Sequence, residues 1–294
     1  MTVSRFTWYC GTELPGEIMA AALDDYRFEP HFHDAWSIGA IADGACAFSC
    51  LGAQWVARRG DVVVIAPRVV HTGGTAKAGL KYGMAYIDPA WFGQHAALVH
   101  RDGVGFEQIV IRDEALCEQW VAALTASELS SQERALALST ALLALLTRHG
   151  VPAAHAGDAT RASENVCGQA ADNPAMSRLR TTDATDRASE ELRRQLTADT
   201  PVKADVTATA RRWGVHRTTL VKHFTRRYGL PPDAWLRNWR IARAKVLMMR
   251  GAPLADIAAQ TGFADQAHLT RVFKRIHGSA PGTLRKAFAQ EPAR

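Results

Sequence analysis

Apolar and polar positions alternate over short stretches in the first third of the chain and recur at helical spacing beyond it. Between about Phe6 and Ile111 the runs Trp36–Ile41, Ala45–Cys50, Gln54–Ala57 and Val62–Ile65 are divided by turn signals. These are Asp43-Gly44, Leu51-Gly52, Arg59-Gly60-Asp61 and Gly73-Gly74. The pattern predicts short antiparallel strands in a small barrel or sandwich. From about Asp113 the period changes. Leu116, Trp120, Val121 and Leu124 predict one helix. Glu133–His149, with Leu136, Leu138, Leu142, Leu143, Leu145 and Leu146, predicts a second. That second helix is apolar around much of its circumference, so it needs a partner on more than one side, either its own barrel or another subunit.

Residues 151–184 are rich in Ala, Asp, Ser, Thr and Gly and hold almost no large apolar side chain, which predicts a flexible tether. Helical periodicity resumes near Thr185, and within it the chain repeats itself. His216–Arg227 can be laid on Asp265–Ile276 at an offset of 49 residues. The matches include Leu220 with Leu269, Phe224 with Phe273, Arg226 with Arg275, Gly229 with Gly278 and Pro232 with Pro281. Upstream, Ala210-x-x-x-Gly214 parallels Ala258-x-x-x-Gly262, with one extra residue in the second turn.

Each copy reads as a helix-turn-helix. A short helix beginning near Val206 or Leu254 presents an alanine to its partner, and a glycine turns the chain sharply. A second helix then buries Leu and Phe at i and i+4 while exposing a polar, basic face. Gly229 and Gly278 are expected C-caps. Between the copies, Asp233–Arg250 predicts one long helix with a core stripe of Leu236, Trp239, Ile241, Ala244, Leu247 and Met248, bracketed by Pro231-Pro232 and Gly251-Ala252-Pro253. Such a helix would hold two reading heads at fixed separation.

Charge changes the picture here. Residues 185–294 hold 21 Lys and Arg against 9 Asp and Glu, whereas residues 1–184 hold 14 against 20. The overall net charge is +6. A basic C-terminal third on an acidic remainder is the footprint of a nucleic-acid-binding module attached to something else.

These residues carry a resemblance. The stretch Ile257-Ala258, Gly262-Phe263-Ala264-Asp265-Gln266, Leu269, Arg271, Phe273-Lys274-Arg275, Gly278 and Pro281 is similar to the second helix-turn-helix unit of the AraC/XylS family of bacterial regulators. The resemblance covers residues 190–287. It implies Arg217, Thr218, Val221 and Lys222 on the DNA face of the first reading helix, and Gln266, Ala267, Thr270 and Arg271 on that of the second. Gln266 suits adenine, Arg271 a guanine or a phosphate, and Val221 a thymine methyl. For Arg226, Arg227, Lys274 and Arg275, phosphate contact and plain solvation both stay open. His216 stands where a Ser or Thr commonly caps the reading helix.

The front region adds His31-Phe32-His33 and, 38 residues after His33, His71 following Pro67. With Glu29-Pro30 and Gly60-Asp61-Val62-Val63-Val64-Ile65, these resemble the cupin-like sensing domain that precedes the same DNA-binding domain in that family. In a cupin barrel the three histidines converge on the mouth. Metal-binding cupins add a carboxylate soon after the His-x-His pair, and Ser37 stands there instead. No metal or other cofactor is therefore expected. His31, His33 and His71, with Trp36 and Tyr82, are expected to line an effector pocket, the alternative being imidazoles hydrogen-bonded at strand ends. Trp55 and Tyr86 are further candidates, for the pocket or simply for core.

The expected architecture is a cupin-like all-β barrel over 1–112, a helical dimerisation segment over 113–150, a linker over 151–184 and an all-α DNA-binding domain over 185–294. The five cysteines, Cys10, Cys46, Cys50, Cys117 and Cys167, fit neither a disulfide framework nor a zinc spacing and are expected to be reduced. No apolar run spans a membrane and the N-terminus lacks a signal-peptide layout, so a cytoplasmic protein is expected. The expected protein is a non-enzymatic, homodimeric regulator of promoter DNA, switched by a small-molecule effector. The resemblance implies RNA polymerase as a further partner and activation as an outcome, while the residues leave activation and repression open. Two alternatives are a regulator whose barrel only oligomerises and a metal-dependent cupin enzyme.

Overall fold

The computed structural model describes residues 4–77, 79–100, 103–157, 183–198 and 204–289. Most of the expected linker therefore lies outside the described residues. The chain forms two compact units, one of residues 1–163 with 273–294 and one of residues 164–272.

The first unit is built on two antiparallel sheets. The larger runs in the order β1 (Arg5–Tyr9), β2 (Gly16–Leu23), β9 (Leu80–Ile87), β4 (Trp36–Asp43), β7 (Asp61–Ile65) and β11 (Val110–Arg112). The smaller runs β3 (Arg27–His31), β8 (His71–Gly74), β5 (Ala45–Cys50) and β6 (Ala53–Arg58). A short pair, β10 (Val104–Phe106) and β12 (Gly150–Pro152), lies outside both. The strands expected from alternation are thus β4 to β7.

One helix departs from the all-β expectation for this region. Helix α1 (Pro89–Val99) follows β9, with Asp88 accepting from the Ala90 and Trp91 amides and Pro89 in the first turn. It buries Phe92 and Ala96, and Phe92 stacks on Trp36 at a centroid distance of 4.1 Å. A mostly apolar helix of this length lacks the polar face that makes helical periodicity visible.

The expected helical segment is α2 (Glu114–Thr125) followed by α3 (Ser131–His149). Helix α2 covers the outer face of the large sheet so closely that a Cβ added at Gly83 would lie 2.5 Å from the Leu124 Cβ. Two charged residues tie the pair. Arg134, 1% exposed, donates to the carbonyls of Ala123 (2.7 Å) and Ala126 at the end of α2, and its guanidinium lies 3.9 Å over the Tyr9 ring. A cation at a helix C-terminus meets both unpaired carbonyls and the helix dipole. Asp113 caps α2 through the Leu116 amide and takes His149 at 2.8 Å from the end of α3. Residues 273–289, including α10 (Pro281–Ala289), complete this unit, with Trp8 Nε1 donating to Ser279 Oγ at 2.9 Å.

The second unit is all-helical: α4 (Asp183–Thr197), α5 (Val206–Arg212), α6 (Arg217–Tyr228), α7 (Pro232–Met249), α8 (Leu254–Gln260) and the start of α9 (Gln266–His277). Helices α5–α6 and α8–α9 are the two expected helix-turn-helix units. Ala210 and Ala258, the equivalent alanines of the two pairs, are each 2% exposed, and Gly214 and Gly262 turn the chain at φ +63° and +75°. Leu220, Phe224, Leu269 and Phe273 are fully buried. The long connecting helix is present, but its core stripe is phased differently from the expectation. Trp235, Asn238, Ile241, Ala244 and Met248 are buried, whereas Leu236, Trp239 and Leu247 are half-exposed. Tryptophan at either 235 or 239 satisfies helical spacing, and the fold buries Trp235 against Phe224. No described helix is long and apolar enough to cross a membrane.

Candidate functional site

Between the two sheets lies a cavity of about 590 Å³, counting its open mouth. Strand parity decides what lines it. In the register of the large sheet, Tyr82 lies across from Ile41, Met84 across from Gly39 and Tyr86 across from Ser37. All three β9 residues, with Gly39 and Ile41, face inward. The small sheet contributes Phe28, His31, Cys46, Phe48, His71 and Thr72. Most of the wall is apolar, with imidazoles, phenols and Thr72 as its polar groups.

Of the expected pocket residues, His31, His71 and Tyr82 line the cavity, as does Tyr86. His33 is not among the lining residues but lies beside them, its ring 4.4 Å from that of Tyr86. Trp36 is a correction. It stands one residue before Ser37, so alternation turns it to the outer face, where it stacks on Phe92. Trp55 is also absent from the wall. Met84, Phe48 and Cys46 line the cavity without having been singled out in the sequence. Once Tyr82 is placed inside, period-two spacing reaches Met84, but Cys46 and Phe48 require the pairing of the smaller sheet.

The three histidines come together although they arise from separate segments. His31 ends β3 and pairs directly with His71 of β8, with a register shift between Phe28 and His31. Ring centroids are 4.5 Å apart for His31 and His71, 4.8 Å for His31 and His33, and 5.4 Å for His33 and His71. His31 Nδ1 lies 2.7 Å from the Glu29 carbonyl, and His71 Nδ1 lies 2.9 Å from the Val69 carbonyl. A carbonyl oxygen only accepts, so in both rings Nδ1 carries the proton and Nε2 the lone pair. Burial pushes the His31 pKa down to about 3, with His71 adding to the fall against the Glu29 carbonyl. Burial likewise pushes His71 down to about 4. Both rings are neutral at pH 7. Burial raises the Tyr82 and Tyr86 phenols, and the carboxylate of Glu17 raises Tyr86 further, so both stay protonated.

The second candidate surface is the pair of reading helices. Arg217, Thr218 and Lys222 on α6, and Gln266, Ala267 and Arg271 on α9, are exposed, while Val221 and Thr270 are half-exposed. All eight are thus open to a partner. The helices are held in different ways. At α6 the cap is an imidazole, His216 Nδ1 accepting from the Thr218 amide at 3.3 Å. At α9 it is a carboxylate, Asp265 accepting from the His268 amide at 2.6 Å. Helix α6 is also gripped from behind by the acidic α4. Asp186 pairs with His223 (3.2 Å) and Arg227 (3.0 Å), Ser189 meets His223 Nδ1 at 2.8 Å, and Glu190 takes the Tyr228 hydroxyl at 2.8 Å. Glu191 accepts from Arg212 and from Trp213 Nε1 of α5 and the turn. Arg227 is thereby engaged in an ion pair, which favours a structural role for it over phosphate contact.

Residues 15–146 match the family described as AraC-like ligand binding domain, and residues 209–287 match the family described as helix-turn-helix domain. The virulence regulon transcriptional activator VirF of Yersinia enterocolitica is 35% identical over 77 residues, which cover 26% of this chain and 28% of VirF. The chain therefore matches less than a third of that relative's length. The uncharacterized HTH-type transcriptional regulator YbfI of Bacillus subtilis is 25% identical over 253 residues, 83% of this chain and 82% of YbfI. Among solved structures, an apo ToxT variant of Vibrio cholerae, 14% identical, shares the fold with a TM-score of 0.53 over 95% of this chain and 99% of its own.

A ligand-binding β-domain followed by paired helix-turn-helix units defines a DNA-binding transcription regulator. The chain belongs to the AraC family of such regulators.

Proposed function

We propose that the protein is an effector-controlled, homodimeric regulator that acts on promoter DNA in the cytoplasm, with RNA polymerase as its further partner and no enzymatic step of its own. One observation carries the reading: a mostly apolar cavity enclosed by two sheets, with a few polar groups converging in its wall. A small, largely apolar molecule with one or two hydrogen-bonding groups fits that wall. Its apolar body would lie against Ile41, Phe48, Ile65 and Met84, and its polar atoms would meet His31, His71 or Tyr82.

Arg217, Thr218, Val221, Lys222, Gln266, Ala267, Thr270 and Arg271 make the DNA contacts in this reading, their exposure supporting the assignment. Subunit contact is assigned to the helical segment 113–150, where Leu136 of α3 is 69% exposed. Leu98 of α1 is also exposed, at 75%. The effector acts by its different affinity for the two DNA-bound arrangements, the only route by which a ligand shifts an equilibrium.

The test is a thermal-shift screen of the full chain against small metabolites, followed by operator binding with each hit. A ligand that binds only the folded state raises the melting temperature. The expected result is a hit whose shift is lost in Tyr82→Ala and whose presence changes operator affinity. A screen without hits, alongside ligand-independent operator binding, would assign the barrel to oligomerisation alone.

A further inference from the structure

Resting on the effector reading above, we propose that the guest of the barrel cavity is an uncharged hydroxyl compound, an alcohol or phenol on an apolar skeleton. Its carboxylate and ammonium analogues are rejected. The wall carries no ion: Asp, Glu, Lys and Arg are all missing from the residues that line it. Its titratable side chains are His31, His71, Tyr82, Tyr86 and Cys46. Burial lowers the two imidazoles to about 3 and about 4, and it raises both phenols and the Cys46 thiol. Every one of them is neutral at pH 7.

A carboxylate or ammonium entering such a chamber gives up its hydration and meets no counter-charge in the wall, and an unpaired buried ion is costly. Glu17 adds to the rejection of anions. It is 8% exposed and lies across from Tyr86 in the β2–β9 pairing, and its carboxylate pushes the Tyr86 phenol further up. Glu17 is not itself a lining residue, so the wall offers an ammonium no carboxylate.

Hydrogen bonding then selects among neutral guests. The Nδ1 protons of His31 and His71 are spent on the Glu29 and Val69 carbonyls, which leaves each Nε2 an acceptor. The Thr72 hydroxyl is already engaged, at 2.8 Å from the Ser49 amide and 3.0 Å from its hydroxyl. No described residue hydrogen-bonds either Nε2 or the Tyr82 hydroxyl. Two acceptors thus stand on directly paired positions, their ring centroids 4.5 Å apart, with a phenol O–H elsewhere in the wall. A guest that only accepts, such as an ether, leaves both imidazoles unsatisfied. A hydroxyl donates to one of them, and its oxygen can still accept. A site with buried polar groups of this kind discriminates against the analogue that leaves them unpaired. Ile41, Phe48, Ile65 and Met84 supply the apolar surface for the skeleton.

The test keeps the skeleton and changes the head. Propylphenol, naphthol and octanol are each titrated into the full-length protein beside the carboxylate, amine and methyl ether of the same skeleton, with binding read by thermal shift and calorimetry. For at least one skeleton the hydroxyl form is expected to bind about 10-fold or more tighter than its three counterparts. In ¹⁵N-histidine spectra of the unaltered protein, that guest is expected to move the Nε2 signal of His31 or His71 while both Nδ1 protons are retained. A carboxylate or amine that binds as tightly as the hydroxyl form would overturn the exclusion of charge. An ether that binds as tightly, or an unmoved pair of Nε2 signals, would overturn the need for a donor. If no skeleton binds in any form, the metabolite screen described above decides. A charged hit there overturns the class of guest alone, whereas an empty screen removes the effector reading and the class with it.

Discussion

The two reading helices share a backbone plan and differ in what holds it. Helix α9 opens on a carboxylate cap, an acceptor well suited to the unpaired amides at a helix start. Helix α6 opens on an imidazole and recruits a third helix, whose Asp186, Ser189 and Glu190 grip its back. A unit with the stronger local signals is legible from its own dozen residues. A unit with weaker ones is completed by partners 34 to 41 residues away. The lesson is that similar motifs at an offset of 49 need not be equally self-sufficient.

The largest expected effect tests what the helices share. Leu220→Ala and Leu269→Ala remove equivalent, fully buried side chains and should each cost about 2–5 kcal/mol in denaturant unfolding. A cost below about 1 kcal/mol at only one of them would break the equivalence.

Next come the exposed faces. Arg271→Ala should weaken cognate binding by on the order of 1–3 kcal/mol if Arg271 reads a base, and less on random DNA. Lys222→Ala should weaken all sequences alike and lower the salt slope by about 1, as a phosphate contact does. Equal losses on cognate and random DNA for Arg271→Ala would leave it a phosphate role.

The caps follow. Asp265→Ala should cost about 1 kcal/mol, whereas His216→Ser should be neutral or slightly stabilising, because serine is a better cap than most residues it replaces. Equilibrium unfolding of both variants measures the difference, and a clear loss in His216→Ser would show that the imidazole has contacts a hydroxyl cannot replace.

The smallest effect concerns acid. The hydrogen bond from Arg193 holds Glu190 below its ordinary value of 4.5, against burial, with Tyr228 adding to the fall. A depressed carboxyl contributes stability that is complete above its unfolded pKa and lost as pH falls through the folded one. His223 acts in the same sense. Burial lowers its pKa although Asp186 pulls the other way, so below pH 6.5 the unfolded chain binds more protons than the folded one. Glu190→Gln should therefore flatten the stability curve below about pH 5, by under about 1 kcal/mol. A curve of unchanged slope between pH 5 and 3 would remove Glu190 from the grip on α6.

Much of the fold was legible because its signals are local. Glycine-marked turns delimited β4 to β7, and the repeat located both helix pairs to within a residue or two. Helix α1 was missed although Asp88 and Pro89 announce it, because its apolar composition shows no polar face. The stripe of α7 was misphased because tryptophans at 235 and 239 satisfy the same spacing and only tertiary packing selects between them. Trp36 was assigned to the cavity from its neighbourhood, yet parity alone turns it outward while Ser37 faces in. The meeting of His31, His33 and His71 was readable as a tendency. The bulge in β3 and the carbonyl partners that orient two of the rings were not, since they arise only on strand pairing.

Strand β9 has one further consequence. Tyr82, Met84 and Tyr86 face the cavity, and Gly83, between the first two, lies against Leu124 of α2. The partition between chamber and outer helices is a single strand thick, and at Gly83 it has no side chain to act as a cushion. A displacement of the inner wall by a guest needs no relay of residues to be felt outside, since the strand that feels the push also bears on α2. Tolerance to mutation over Tyr82–Met84 should accordingly alternate with residue parity, Gly83 being constrained by the helix and Tyr82 and Met84 by any guest.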